Sequence, residues 1–212
     1  MIHIFFLFLK YVIIMLVKLM SKKIDSFEKE IQYIKNDKYK KAAKELIELL
    51  PDYFFKVAAS STGKYHPAFS LGEGGLLRHT KSLVRIGVEL MNNDSLGHKF
   101  TDDEKDLLII SMIMHDGLKH GLEYDKYTKF EHPIIVCDYI KDNKDKISLN
   151  DNEIKFICKV ISSHMGKWNT SPYSDVVLPL PKDKYQRFVH MCDYLSSRKF
   201  LDIKFENNEI VD

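Results

Sequence analysis

Residues 107–114 read Leu-Leu-Ile-Ile-Ser-Met-Ile-Met and run without a break into His115-Asp116. A helix that is apolar on every side is stable only inside a packed core, so the rest of the chain has to wrap around this one. The same helix delivers an imidazole and a carboxylate at its end. A buried carboxylate is costly unless something compensates it, and a metal ion is one such compensation. With 212 residues, 45% of them hydrophobic, the chain is long enough for one core and short for two.

The remaining periodicity is also helical. Phe27, Ile31 and Ile34, then Ala42, Ala43, Leu46, Leu49 and Leu50, predict two helices within 21–60, before a break at Pro51-Asp52. Gly63, Pro67, Gly72, Gly74 and Gly75 make the following stretch a loop. A helix from about Gly75 to Met91 places Leu76, Leu83, Ile86 and Leu90 on one face with His79, which turns His79 inward. Asp102 or Asp103 is the expected cap of the buried helix, and Gly117 the turn after it. His132-Pro133 marks another helix start, and Asn150 or Asp151 starts one that delivers His164 before Gly166. A loop over 165–182 leads to a last helix over about 183–200 that carries Asp193 among apolar neighbours. No stretch alternates as a strand would, so the expected class is all-α: one helical bundle with a site between its helices.

With 32 basic and 30 acidic residues the formal charge is only +2, so any affinity for phosphate must be local, and stable binding to duplex nucleic acid is not expected. Cys137, Cys158 and Cys192 are odd in number and apolar in setting, which predicts buried thiols in a reducing compartment. Residues 1–20 form a hydrophobic segment with three readings: a start of translation at Met20, a membrane anchor, or a packed helix. Lys10 in its middle costs about 2.5–3.5 kcal/mol on an insertion scale, which weighs against the anchor. A cleaved signal peptide fits less well, for want of a basic leading stretch and a small-residue cleavage site. The expected location is cytoplasmic; an anchored form would keep its catalytic part on that side because of Lys22 and Lys23.

His79, His115, Asp116, His132, His164 and Asp193 each have an ordinary explanation when taken singly. A core histidine, a turn-forming aspartate, a helix cap and a histidine favoured by a helix dipole would serve for most of them. Asp193, with apolar neighbours on both sides, would need a partner such as Arg198 or His190. As a set they suit a pair of divalent ions (Mn, Fe, Co, Ni, Zn or Mg), because one bridging carboxylate can hold two ions about 3.5–4 Å apart. Such a pair clamps a phosphoryl group and generates an attacking hydroxide near neutral pH, so no protein nucleophile and no glycine-rich phosphate loop is needed.

The order His79, His115-Asp116, His132, His164, Asp193 resembles the H…HD…H…H…D signature of the HD-domain metal-dependent phosphohydrolase superfamily, over roughly residues 66–200. Gly74-Gly75-Leu76-Leu77-Arg78-His79-Thr80, Ser163-His164-Met165-Gly166-Lys167 and Cys192-Asp193-Tyr194-Leu195 look most like the HD nuclease domain of bacterial 3′→5′ exoribonucleases that pair it with an OB-fold. The resemblance implies an HD domain over 61–200, N-terminal helices over 21–60 packed on it, and a tail over 201–212. It further implies one ion on His79, His115, Asp116 and Asp193, and a second on His132 and His164 with Asp116 bridging. His115, Asp116 and Lys119 are then the catalytic residues, and Lys119 and Lys167 meet substrate phosphate; His66 is a weaker substrate contact. The implied activity is hydrolysis of a phosphoester in a nucleotide or short oligonucleotide. Two departures stand out: residues 116–119 read Asp-Gly-Leu-Lys where a hydrophobe commonly precedes the glycine, and no OB module precedes the HD region. The rival expectations are a single-metal 5′-nucleotidase and a non-catalytic HD module that senses a nucleotide. A cyclic-dinucleotide phosphodiesterase fits less well, because no Gly-Tyr-Pro follows His115-Asp116.

Overall fold

The computed structural model describes residues 22–64 and 66–211, so the segment 1–20 lies outside the described residues. The chain is an all-α bundle of helices α1 (Glu28–Gln32), α2 (Asp37–Leu49), α3 (Gly75–Asn92), α4 (Asp94–Gly97), α5 (Asp102–Met114), α6 (His132–Asp142), α7 (Asp151–Ile161) and α8 (Lys184–Ser196). A short 3-10 helix over Asp52–Phe55 follows the break at Pro51. Among the described residues no helix is long and apolar enough to cross a membrane.

Helix α5 is the axis. It contacts α2, α3, α7 and α8, and every residue from Asp106 to Met114 is buried, as its all-round apolar sequence requires. The one carboxylate in that stretch, Asp106, is accommodated because it accepts hydrogen bonds from the backbone N–H groups of Lys35 (2.9 Å) and Asn36 (2.8 Å). Gly87 lets α3 cross α5 closely: a Cβ there would lie 2.5 Å from Met112 Sδ. Phe27, Ile31, Ile34, Leu46 and Ile47 belong to the same apolar cluster as α5, so the N-terminal helices close one side of the core. Cys137, Cys158 and Cys192 are free and buried.

Three local expectations need correction. The cap of α5 is Thr101, not Asp102 or Asp103: its hydroxyl accepts from the Glu104 N–H while Glu104 accepts from the Thr101 N–H. Asp102 and Asp103 sit inside the first turn, where they still favour the positive end of the helix dipole. Helix α8 stops at Ser196 rather than near 200. No strand is expected in the tail or in the rest of the chain, yet the tail forms a short hairpin of β1 (Phe205–Glu206) and β2 (Glu209–Ile210). Its two loop residues, Asn207 and Asn208, take φ of 49° and 64°, the left-handed conformation that asparagine tolerates in a tight hairpin. Arg78 on α3 donates to Asn208 Oδ1 (2.5 Å), and the wholly buried ammonium of Lys81 pairs with Glu209 and with Glu30 (3.7 Å). The hairpin is thereby tied to the helix that carries His79.

Candidate metal centre

Five elements converge on one point. His79 comes from the first half of α3, His115 closes α5 and is followed at once by Asp116, His132 opens α6, His164 stands just past α7, and Asp193 lies on α8. His79, His115, Asp116, His132 and His164 are buried. His79 Nε2 lies 3.1 Å from Asp193 Oδ1, and His115 Nε2 lies 3.7 Å from the same oxygen. Asp116 divides its two oxygens: Oδ2 faces His115 Nε2 (3.2 Å) and His79 Nε2 (3.8 Å), while Oδ1 faces His132 Nε2 (2.9 Å) and His164 Nε2 (3.6 Å).

The orientation of the rings follows from their outer nitrogens. The Nδ1 atoms of His115, His132 and His164 lie 2.7–2.8 Å from the carbonyl oxygens of Met112, Lys129 and Ile161. A carbonyl only accepts, so each Nδ1 must carry the proton. His79 Nδ1 meets Ser196 Oγ at 3.3 Å, and that hydroxyl donates onward to the Asp193 carbonyl, which makes it the acceptor here as well. All four Nε2 atoms are therefore turned toward the carboxylates. The Nε2 atoms of His132 and His164 are 3.2 Å apart, a repulsive approach of two acceptors unless a proton or cation lies between them. His79 Nε2, His115 Nε2 and Asp116 Oδ1 are buried without a hydrogen-bond partner. Four inward imidazole nitrogens facing two carboxylates inside a protein form a donor set that a cation would satisfy.

Electrostatics agree with the geometry. Burial opposes charge on Asp116, yet Lys119 and His115 outweigh it and hold the carboxyl well below the usual carboxylate range. Burial likewise opposes charge on Asp193, and His79 and His115 more than offset it. Burial pushes His79 and His132 down, so both stay neutral, whereas Asp116 and Asp193 outweigh burial at His115 and raise it. Two triads, His79–His115–Asp193 and His115–Asp116–His164, have ligand atoms within 4.8 Å of one another. The donor set fits one or two divalent cations of the imidazole- and carboxylate-binding kind.

A cleft of about 320 Å³ opens over this cluster, lined by Asp116, His132, His164 and Asp193 at its floor. Comparison of the chain with family models, with curated proteins and with solved structures returned no match. The site therefore has to be read from its own chemistry.

Lys119 lines the cleft and pairs with Asp116 Oδ2 at 2.5 Å. Lys167 is outside the lining: it is exposed, with Nζ 5.0 Å from the centre of the Trp168 ring. Arg198, which the sequence suggested only as a partner for Asp193, also lines the cleft. His66 also lines the cleft, its ring 5.5 Å from that of His79 and its buried Nδ1 without a partner. Burial first, then the charge of Lys119, pushes it down to about 3, which keeps it neutral. No periodicity marks His66, because it sits in a loop.

His190, which the sequence offered only as a partner for Asp193, buttresses the centre. Its Nδ1 lies 2.7 Å from the His164 carbonyl oxygen, and its ring fills the space beside Gly166. Gly166 takes φ of +58°, and a Cβ there would come within 2.1 Å of His190 Cε1. Gly166→Ala is accordingly expected to destabilise the protein by about 1–3 kcal/mol, from the left-handed strain and the overpacking together. A urea midpoint measures this. The double variant with His190→Ala should recover part of the loss, and an unchanged midpoint for Gly166→Ala alone would contradict the packing described.

Proposed function

We propose that the chain is a metal-dependent phosphohydrolase of the HD-domain kind its sequence resembles, cleaving a phosphoester of a nucleotide or short oligonucleotide. One observation carries the reading: Asp116 offers its two oxygens to two different histidine pairs, and the Nε2 atoms of all four histidines face in. A carboxylate so shared suits a bridge between two ions, with His79, His115 and Asp193 on one side and His132 and His164 on the other. Bound there, divalent ions supply the positive charge that stabilises a phosphoryl transition state and lower the pKa of an attacking water.

The chain's own side chains account for the rest. Lys119, beside Asp116, and Arg198, on the rim, bring positive charge to a phosphate entering the cleft. Neutral His66 offers a ring nitrogen with no internal partner, suited to a hydrogen bond with an ester oxygen. The carbonyl bonds at Nδ1 hold the ligand rings in place, so little reorganisation accompanies the reaction.

The test is a metal-reconstituted screen over mononucleotides, cyclic nucleotides and short RNA and DNA oligomers, with metal content measured on the same samples. About two ions per chain and divalent-dependent hydrolysis are expected. About one ion per chain with release of phosphate from mononucleotides would favour a single-metal 5′-nucleotidase. Bound ions without any hydrolysis would leave a nucleotide-sensing module, and no bound ion would refute the proposal.

A further inference from the structure

We infer that the rim of the cleft is a nucleobase subsite, in which Trp168 stacks on the base of a nucleotide while Tyr194 and Arg198 hold the indole from behind. The inference rests on the proposed phosphohydrolase reading only for the phosphate end of the ligand; the aromatic end stands on separate observations.

Trp168 is 44% exposed although it lines the cleft, so a wide indole surface is presented directly beside the cation-binding cluster. Its position is not accidental to the loop. The Tyr194 ring stacks on it at 5.9 Å and 20°. The Arg198 guanidinium lies 4.2 Å from the Tyr194 ring centre and 5.9 Å from that of Trp168. Arg198 is fixed in turn by its hydrogen bonds to the Tyr194 carbonyl (3.0 Å) and Ser197 Oγ (2.9 Å). A rigid aromatic pair backed by a cation is the construction that takes a planar base at little cost in entropy.

Other aromatics named from the loops do not line the cleft. Phe69 packs on Phe205 at 5.3 Å, and Tyr124 packs on Tyr53 and His120; neither they nor Tyr127 line the cleft. The cleft volume of about 320 Å³ is of the size that small-molecule sites occupy. Among the described residues its lining holds no Asn or Gln, and its carboxylates are Asp116 and Asp193. Base–aromatic stacking tolerates every base, so Trp168 should take purines and pyrimidines alike, with Ser60, Thr128 and Ser197 the hydroxyls in the lining.

Trp168 is the single tryptophan of the chain, so its emission reports this site alone. The experiment is a stopped-flow titration of the full-length, metal-loaded protein, read before turnover, with AMP, UMP, ribose 5-phosphate and inorganic phosphate. AMP and UMP are expected to change the emission saturably, with Kd at least roughly tenfold below that of ribose 5-phosphate. Equal Kd values for AMP and ribose 5-phosphate, or no change with AMP, would overturn the inference. On whichever nucleotide is hydrolysed, Trp168→Leu should raise KM by roughly five- to a hundredfold with kcat little changed, and Trp168→Phe should restore most of the loss. A chain that binds AMP through Trp168 and hydrolyses nothing would uphold the subsite while refuting the enzyme.

Discussion

Asp116→Ala is expected to lower hydrolysis by well over roughly a hundredfold, since even residues that only support a metal ligand cost about 10–100-fold when removed. The reason is the position of this carboxylate between two histidine pairs, with His115 and His79 on its Oδ2 and His132 and His164 on its Oδ1. Removing it strips a ligand from both halves of the cluster at once. It also leaves the Lys119 ammonium, now 2.5 Å from Oδ2, without its partner, so positive charge accumulates where cations should bind. Metal content should fall together with activity. His132→Ala disturbs only the Oδ1 half, and should cost one ion of two. Steady-state rates and metal analysis on the two variants check this, and an Asp116→Ala protein that keeps its rate and its ions would remove the basis of the catalytic assignment.

Chelation is expected to lower Tm by roughly 8–16 °C. An ion present at a thousandfold its Kd stabilises the folded state by about 4 kcal/mol, and each kcal/mol moves Tm by about 2–4 °C in a chain of this size. The linkage is strong here because the ligands come from α3, α6 and α8, the end of α5 and the turn past α7, and an ion holding them together binds no unfolded chain with comparable strength. The buried acceptors His79 Nε2, His115 Nε2 and Asp116 Oδ1 gain their only partner from such an ion. Differential scanning calorimetry with and without chelator, followed by reconstitution with Mn, Zn or Mg separately, measures the shift. An identical Tm under all these conditions would mean that the cluster binds none of those ions.

Much of this architecture was legible because the signals are local. The apolar run over 107–114 demanded burial on all sides and is the axis of the bundle, with His115-Asp116 at its end. The pairing of His79 with the apolar face of its helix predicted an inward ring, and the ring is buried. A helix start at Asn150 or Asp151, where Asn150 is the cap, and Pro133 at another helix start were read from chemistry confined to a few residues. Local reading failed where two residue types competed for one role. Thr101 took the cap expected of Asp102 or Asp103, because its hydroxyl forms a reciprocal pair with Glu104.

The functional rim was less legible, and for a different reason. Lys167 stands three residues after His164 yet is exposed outside the cleft lining, while Arg198 reaches the rim from beyond the end of α8. His66 lies in a loop with no periodicity, and the use of His190 depends on the carbonyl of a residue 26 positions away. By itself, then, the sequence determined the helical class, the buried axis and the identity of six polar residues that sit badly in a core, because hydrophobic period and capping act over a few neighbouring residues. The tertiary structure alone decided that Asp116 stands between two histidine pairs, which rings have their outer nitrogens tied to carbonyls, and that Trp168, Tyr194 and Arg198 share the mouth of the cleft. Those relations join segments far apart along the chain, and only packing of the helices sets the distances between them.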